Sequence, residues 1–459
     1  MHPVPDILGR MLSVSRRPRA VIAGSALILL IAVIVAAGRS GGGQPIRLPS
    51  DRLTWSAQPL AYVPSRAAQF VVRAVSGSAN VLFAKSPGGV VATAARVAAY
   101  RPLIDAATAG TGIDPKLLEG LVFLESAGEP EALAGPDAAD AAGLTQILAQ
   151  TGQSLLGMHI NLAESRKLTG QIDAAYTAGN AGLVARLQGR RAQIDDRFDP
   201  RKALAATVRY LKLAERDLGG REDLAIVSYH MGIGNLQHVL DDYDGGRPVP
   251  YVQLYFDTAP DHHGSAYTLL SGLGDDSSLY YWRVLGAVQI MNLYRTDLPA
   301  LQRLAALETA TGSDAEVLHP PAQTPAFASA AALKSAYLSG TLVQLPAKPA
   351  RYGLVYAAMP ALSHGLRPAA VDLLAALGVG VQELNGSKAT LTVARGVSVG
   401  ASGWTFEIAR RYTGVGQADA FQAMLDRLQA LNLIAWTRTP ATIDVTVASD
   451  ASHYLIDGP

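Results

Sequence analysis

A glutamate stands among apolar residues in the segment IDPKLLEGLVFLESAG, residues 113–128. Read as a helix, the segment places Glu125 on the same face as Leu121 and Val122, because residues three and four apart share a helix face. Burial disfavours the charged form of a carboxyl group and raises its pKa. A carboxylic acid that keeps its proton near neutral pH can act as a general acid. The alternative is a structural glutamate that pairs with an arginine or reaches solvent at the helix end.

The same segment carries signals for where this helix begins and ends. Asp114 suits the capping position before the first turn, and Gly128 and Pro130 favour a stop. Glu119 is expected to point away from the apolar face, into solvent. The segment therefore predicts one helix whose last turn presents Glu125.

Apolar residues recur at intervals of three and four from residue 91 to 315, which predicts a mainly α-helical domain. Within it, the polar insert at residues 161–196 is expected to form a helical hairpin. A Pro/Ala-rich linker, residues 316–350, follows. In residues 351–455 the segments ATLTVARGV, LIAWTRT and TIDVTVA read as strands beside a helix, which predicts a smaller α+β domain.

An uncharged apolar run at residues 20–38 is long enough to cross a bilayer as a helix. Four arginines lie in the preceding tail, residues 1–19, whereas only Arg39 and Arg47 follow closely in the spacer, residues 39–90. This asymmetry predicts a single-pass membrane protein with a cytoplasmic N-terminus and a catalytic domain on the extracytoplasmic, periplasmic or cell-wall side. The alternative is a cleaved signal peptide.

Composition excludes several classes of function and site. The chain of 459 residues has a net charge of +1 and no basic stripe, which argues against nucleic-acid binding. It contains no cysteine, so disulfides and thiolate metal sites are excluded. Its length allows two or three domains with cores of their own.

Four segments, LESAG, AGLTQ, SYHMG and LYYWR, resemble in order the motifs of the soluble lytic transglycosylase (SLT) catalytic domain. These motifs are Glu-Ser at a helix end, Gly-Leu-Met-Gln, Ala-Tyr-Asn-Ala-Gly, and a Tyr that opens a late helix. The residues that match them are Glu125, Ser126, Gly143, Leu144, Gln146, Tyr229, Gly232 and Tyr280.

This resemblance implies a lysozyme-like, mainly α (α+β) fold that cleaves peptidoglycan. It implies that Glu125 protonates the β-1,4 oxygen between N-acetylmuramic acid and N-acetylglucosamine and later accepts the proton of the muramic 6-hydroxyl. A 1,6-anhydro ring then closes without water, so the enzyme is a lyase, and no metal or organic cofactor is required. The expected substrate-binding residues are Ser126, Gly143, Gln146, Tyr229, His230 and Tyr280.

Two positions depart from the motifs and keep alternatives open. Thr145 replaces Met, and His230 replaces Asn with a larger, titratable ring. One alternative is a non-catalytic peptidoglycan-binding scaffold, and another is a muramidase, a hydrolase on the same fold. The expected partners are glycan strands and the membrane, with proteins of cell-wall synthesis or division as further candidates.

The segment VGASGWTFEIARRY, residues 399–412, resembles the His-x-x-Gly-x-x-x-Asp motif of zinc D-alanyl-D-alanine carboxypeptidases. Gly403 matches the glycine, but Gly400 replaces the His and Glu407 replaces the Asp. Thr442 lies where a late His is expected. Because a catalytic zinc needs about three protein ligands, we expect no zinc and no peptidase activity in this domain. It would then be a structural appendage, or it would hold stem peptides or a partner.

We expect the N-terminal apolar run to remain in the mature protein, because it is longer than the ~7–15 residues of a signal-peptide core. Peptide mapping of the mature protein should therefore recover a peptide at or before Arg19. A mature N-terminus that begins after the apolar run would instead identify a cleaved signal.

Overall fold

The computed structural model describes residues 60–273, 277–309, 314–320, 322–386 and 389–457. The apolar run predicted to cross the membrane, residues 20–38, lies outside them. The chain folds into two units. The first, called the helical unit, comprises Ser78–Thr258 and His262–Ala306. The second, called the sheet unit, comprises the described residues up to Gly77, Ala259–Asp261 and the chain from Leu307 onward.

Most of the described chain before residue 310 is helical. The helices are α1 Ala67–Gly77, α2 Asn80–Ala84, α3 Val90–Ala98, α4 Arg101–Thr108, α5 Pro115–Ser126, α6 Ala149–Ser154, α7 Leu162–Thr177, α8 Ala181–Ile194, α9 Pro200–Asp217, α10 Glu222–Met231, α11 Ile233–Asp244, α12 Tyr251–Phe256, α13 Gly264–Gly272, α14 Tyr280–Thr296 and α15 Leu298–Glu308. Except for α1 and the end of α15, they belong to the helical unit.

Helix α5 is the centre of the helical unit. The Asp114 side chain accepts a hydrogen bond from the backbone N–H of Lys116 at 2.8 Å, which caps the helix as predicted. Ala127, in the left-handed conformation, and Gly128 end it. Protein encloses the middle of the helix, because its buried residues include Leu117, Leu118, Glu119, Gly120, Leu121, Val122, Phe123 and Ser126.

The prediction that Glu119 faces solvent is wrong. Its side chain is 1% exposed and forms ion pairs with Arg295 and, at 3.5 Å, with Arg101. Distance from the apolar face does not imply exposure here, because protein also covers the side of α5 that carries Glu119. Two guanidinium groups from neighbouring helices compensate the buried charge.

The polar insert forms the helical hairpin that its sequence predicts. Asn161 and Asn180 cap helices α7 and α8, because their side chains accept hydrogen bonds from backbone N–H groups of the first turns. The two helices share a small core of their own, formed by Leu168, Ile172, Ala175 and Leu187.

The sheet unit combines short strands with helices. A five-stranded sheet has the order β2-β4-β5-β7-β6, and only the β2–β4 pairing is parallel; β1 and β3 pair separately. The strands are β1 Val343–Gln344, β2 Leu354–Tyr356, β3 Gly365–Leu366, β4 Leu391–Arg395, β5 Thr405–Ala409, β6 Ile434–Arg438 and β7 Thr442–Val447. The helices are α16 Asp314–Leu318, α17 Ala330–Leu338, α18 Pro368–Asn385, α19 Val415–Ala430 and α20 Ala451–Asp457.

Two stretches that the sequence indicates as connections contain regular structure. The spacer at residues 39–90 includes α1 and α2, and the linker at residues 316–350 includes α17 and β1. Helix α1 belongs to the sheet unit, where Arg73 bonds Asp450 at 2.8 Å. A partner 377 residues away leaves no signal in local sequence.

By length and composition, one stretch of the described residues, Pro64–Ala84, could cross a membrane. It has a mean hydropathy of 1.2, and a third of its apolar window is buried within the protein.

Substitution of Gly120 by Ala is expected to lower the stability of the helical unit. An added Cβ would lie 2.8 Å from the Val284 carbonyl oxygen and 2.9 Å from a Val288 methyl group on α14. Overpacking of this kind costs about 1–3 kcal/mol. Gly170→Ala is the matched control, because this exposed glycine of α7 has no such neighbour within 4 Å, and Ala favours a helix by up to ~1 kcal/mol. Thermal unfolding should separate the two variants, and equal midpoints would contradict the packing argument.

Candidate active site

Glu125 lies in the last turn of α5 and keeps some exposed surface. Burial raises the pKa of its carboxyl group to about 7, although a hydrogen bond from Tyr280 acts in the opposite direction. The Tyr280 hydroxyl donates to Oε1 at 2.5 Å. No cation contributes to the shift, so Glu125 differs from the ion-paired Glu119 of the same helix. The group can therefore hold or release a proton near neutral pH.

Tyr280 reaches Glu125 from the first position of α14 and is itself buried. The exposed ring of His230 stacks on the Tyr280 ring, with centroids 5.1 Å apart and planes 26° from parallel. His230 Nδ1 lies 2.7 Å from the Ser277 hydroxyl, in the turn that precedes α14. His230 thus contacts the tyrosine that bonds Glu125.

Tyr229 is the second tyrosine beside the acid. Its hydroxyl donates to the Thr145 carbonyl oxygen at 2.7 Å, and its ring meets the Tyr210 ring edge-on at 5.2 Å. Burial, followed by the nearby Glu125 charge, raises the pKa of Tyr229 well above its ordinary value. Tyr229 therefore stays neutral and joins α10 to the loop that follows α5.

The loop at residues 143–146 is held from inside the protein. The Ser126 hydroxyl is buried and donates to the Leu144 carbonyl oxygen at 2.7 Å. The Gln146 side-chain amide donates to the carbonyl oxygens of Gly143 at 2.8 Å and Ala132 at 3.1 Å. Ser126 therefore points at the loop, whereas the sequence analysis expects it to contact substrate.

Gly143 has a steric reason to be glycine. Its φ is +78°, and a Cβ there would lie 1.9 Å from the Arg197 carbonyl oxygen. Thr145 beside it is buried, and its hydroxyl has no hydrogen-bond partner in the part of the chain that the structure describes. The Thr that replaces Met thus occupies an interior position rather than a sugar-facing one.

A buried ion pair supports this loop. Asp195 and Arg197 are both fully buried and pair at 2.7 Å. Arg197 also donates to the carbonyl oxygens of Ala138 and Asp140 at 2.7 and 2.8 Å. These bonds hold the backbone that leads to Gly143.

Ser277 and Arg197 support the site but are not among the residues predicted from the sequence. Ser277 lies three positions before Tyr280, and this short separation could have indicated a supporting role. The residues that Arg197 contacts lie 57 and 59 positions away in the chain, so the local sequence carries no signal for its role.

A second carboxyl group with a raised pKa lies at the opposite end of α5. Burial, followed by the charges of Asp114, Glu215 and Asp223, raises the pKa of Glu222 to about 7. Glu222 accepts a hydrogen bond from the backbone N–H of Asp114, the residue that caps α5. Because a helix of 12 residues is about 18 Å long, Glu222 cannot act on the same bond as Glu125.

In the sheet unit, the positions compared with a zinc motif make other contacts. Glu407 forms an ion pair with Arg395, and the Gly400 N–H donates to the Phe327 carbonyl oxygen at 2.9 Å. The Thr442 hydroxyl donates to Asp444 at 2.9 Å. The absence of zinc and of peptidase activity stays a prediction.

Comparison with known families identifies the central part of the chain. Residues 102–246 match the family model described as the transglycosylase SLT domain. This match confirms the resemblance inferred from the four motifs, although Tyr280 lies beyond the matched residues. No curated protein sequence matches the chain closely enough to count as a relative.

Replacement of Tyr280 by Phe should raise the pKa of Glu125 above about 7, because the lost hydrogen bond favours the charged form. Carboxyl-carbon NMR titration of glutamate-labelled protein would measure the shift. Glu125→Gln identifies the resonance, which is needed because Glu222 titrates in the same range. Tyr281→Phe, one position along α14, is the matched control and should leave the pKa of Glu125 in place. An unchanged or lower pKa in Tyr280→Phe would contradict the assignment.

Proposed function

We propose that the chain is a membrane-anchored peptidoglycan lytic transglycosylase in which Glu125 is first the general acid and then the general base. The SLT domain supports a peptidoglycan-acting function of the lytic transglycosylase type. The observation that carries the role of Glu125 is its partly buried carboxyl group, which has a neutral hydroxyl as its hydrogen-bond partner and a pKa raised to about 7. At neutral pH such a group holds its proton in roughly half of the molecules.

The reaction needs a proton to move in two directions. Glu125 donates its proton to the oxygen between N-acetylmuramic acid and N-acetylglucosamine while the bond from C1 of muramic acid to that oxygen breaks. The positive charge that develops at C1 is stabilised by the acetamido group of the substrate. Glu125, now a carboxylate, accepts the proton of the muramic 6-hydroxyl as that oxygen bonds C1. A 1,6-anhydro ring forms, and no water is consumed.

One acid is sufficient for this sequence of steps, whereas most glycosidases use two carboxyl groups. Because Tyr280 donates to Oε1, we assign the transferred proton to Oε2. The tyrosine also stabilises the carboxylate that exists between the two proton transfers. Glu222, whose carboxyl pKa is also raised to about 7, lies at the opposite end of α5, too far away to take part.

We assign two kinds of role to the remaining site residues. Tyr229 lies near Glu125, and His230 stacks on Tyr280; both keep exposed surface and are proposed to contact the glycan. Gln146 is partly exposed on the loop at residues 143–146 and is proposed as a further contact. Ser126 and Gly143 are buried and are proposed as positioning residues that hold the loop. The N-terminal run would place this site on the extracytoplasmic side of the membrane, where glycan strands lie.

Digestion of isolated peptidoglycan sacculi by the full chain should release muropeptides one water lighter than the products of hydrolysis, as measured by mass spectrometry. Glu125→Gln should slow this release by about 100-fold or more, because general acid–base catalysis contributes 10²–10⁴-fold. Glu222→Gln is the matched control, since it removes a second glutamate whose pKa is raised to about 7 while leaving the proposed chemistry intact.

The products discriminate among the three functions. Muramic acid with a free reducing end would identify a muramidase on the same fold. Binding to sacculi without soluble fragments would identify a scaffold. Full activity of Glu125→Gln would reject the assignment of the acid, whatever the product.

A further inference from the structure

We propose that Asp257, His262 and His263 form a binding site for a divalent transition-metal ion, Zn²⁺, in the loop between α12 and α13. The sequence analysis assigns no metal ligand to this region. The structure brings one carboxylate and two imidazoles together, with their ligand atoms all within 4.8 Å of one another. The site is independent of the proposed catalytic function.

The distances fit metal ligands better than hydrogen bonds. His262 Nε2 lies 3.6 Å from Asp257 Oδ1, and His263 Nε2 lies 3.9 Å from Asp257 Oδ2. Both separations exceed those of an N–H···O hydrogen bond, about 2.7–3.2 Å. Two atoms bound at about 2.0–2.1 Å to one tetrahedral ion are about 3.4 Å apart. Small rotations of the two rings would therefore complete the coordination.

The carboxylate has the supporting hydrogen bonds of a metal ligand. The Tyr243 hydroxyl donates to Asp257 Oδ2 at 2.7 Å, and the Gln253 side-chain amide donates to that hydroxyl at 3.0 Å. Such outer contacts orient ligating carboxylates and are a regular part of metal sites. The Tyr243 ring also packs against the His263 ring, with centroids 4.4 Å apart, which limits the positions of that imidazole.

The backbone conformation brings the third ligand into place. His263 has a φ of +53°, a left-handed conformation that few residues other than glycine adopt. This conformation lets two consecutive histidines place their rings 4.3 Å apart. His262 is 61% exposed, so its side chain can rotate toward an ion without repacking the interior.

Ligand chemistry selects the metal. Two imidazole nitrogens with one carboxylate oxygen favour Zn²⁺ and its transition-metal neighbours over Mg²⁺ or Ca²⁺, which prefer oxygen ligands. Three protein ligands leave a fourth position for water or another ligand.

A bound ion would join the end of α12, which Asp257 follows directly, to the start of α13 at Gly264. Helix α13 in turn contacts the turn Ser277–Leu279 that precedes Tyr280. Bound zinc would thereby stabilise the turn Ser277–Leu279, which precedes Tyr280, the hydrogen-bond partner of Glu125.

Isothermal titration of the metal-free full chain with ZnCl₂ tests the proposal. We expect one saturable site with micromolar or tighter affinity and a rise in the unfolding temperature when the site is filled. His262→Asn and His263→Asn should abolish this site, and Asn suits position 263 because it tolerates positive φ. Tyr243→Phe should weaken binding by about 10-fold or more, as expected when a supporting contact to a ligand is lost.

His238→Ala is the matched control, because it removes an exposed imidazole of the same unit without touching the cluster. It should keep the affinity of the unaltered chain. Substitution of Co²⁺ gives an independent reading, since its visible absorption reports tetrahedral nitrogen and oxygen ligation and should disappear in His262→Asn. Absence of saturable Zn²⁺ binding, or equal affinity in the unaltered chain and both Asn variants, would overturn the proposal.

Discussion

The hydrogen bond between Tyr280 and Glu125 joins the two helices on which the helical unit depends. Helices α5 and α14 pack along each other, and each contributes one partner at this contact. Two glutamates of α5 illustrate why the partner matters. Glu119 is buried and meets guanidinium groups, whereas the partly exposed Glu125 meets a neutral hydroxyl. The different partners make one carboxylate structural and leave the other able to exchange a proton near neutral pH.

The surroundings of Glu125 are fixed mainly through backbone carbonyl groups. Ser126 bonds that of Leu144, Tyr229 bonds that of Thr145, and Arg197 bonds two more in the preceding residues. Side chains from three separate parts of the chain thus define the path of a single loop. Such an arrangement tolerates exchanges at positions that face the interior, such as Thr145, provided the loop keeps its path.

The sequence predicted those features that depend on interactions between residues close together in the chain. The cap at Asp114, the hairpin of α7 and α8, and the strands β4, β6 and β7 all follow from short-range patterns. It could not predict the pairing of Glu119 with Arg295, since the partners are 176 residues apart, nor the burial of Asp195. The cluster around Asp257 could not be predicted for a related reason. The rings of the adjacent His262 and His263 come together only because His263 has an unusual positive φ.

The attachment of α1 to the sheet unit affects the order in which the protein can fold during synthesis. The chain enters that unit at α1, makes the whole helical unit, and returns to complete the sheet only afterwards. Arg73 therefore leaves the ribosome long before Asp450 exists. The interrupted unit must wait for its second half, while the inserted one can fold once α14 has followed α5. A chain terminated after residue 306 would thus contain the whole helical unit together with an α1 that lacks the rest of its own unit.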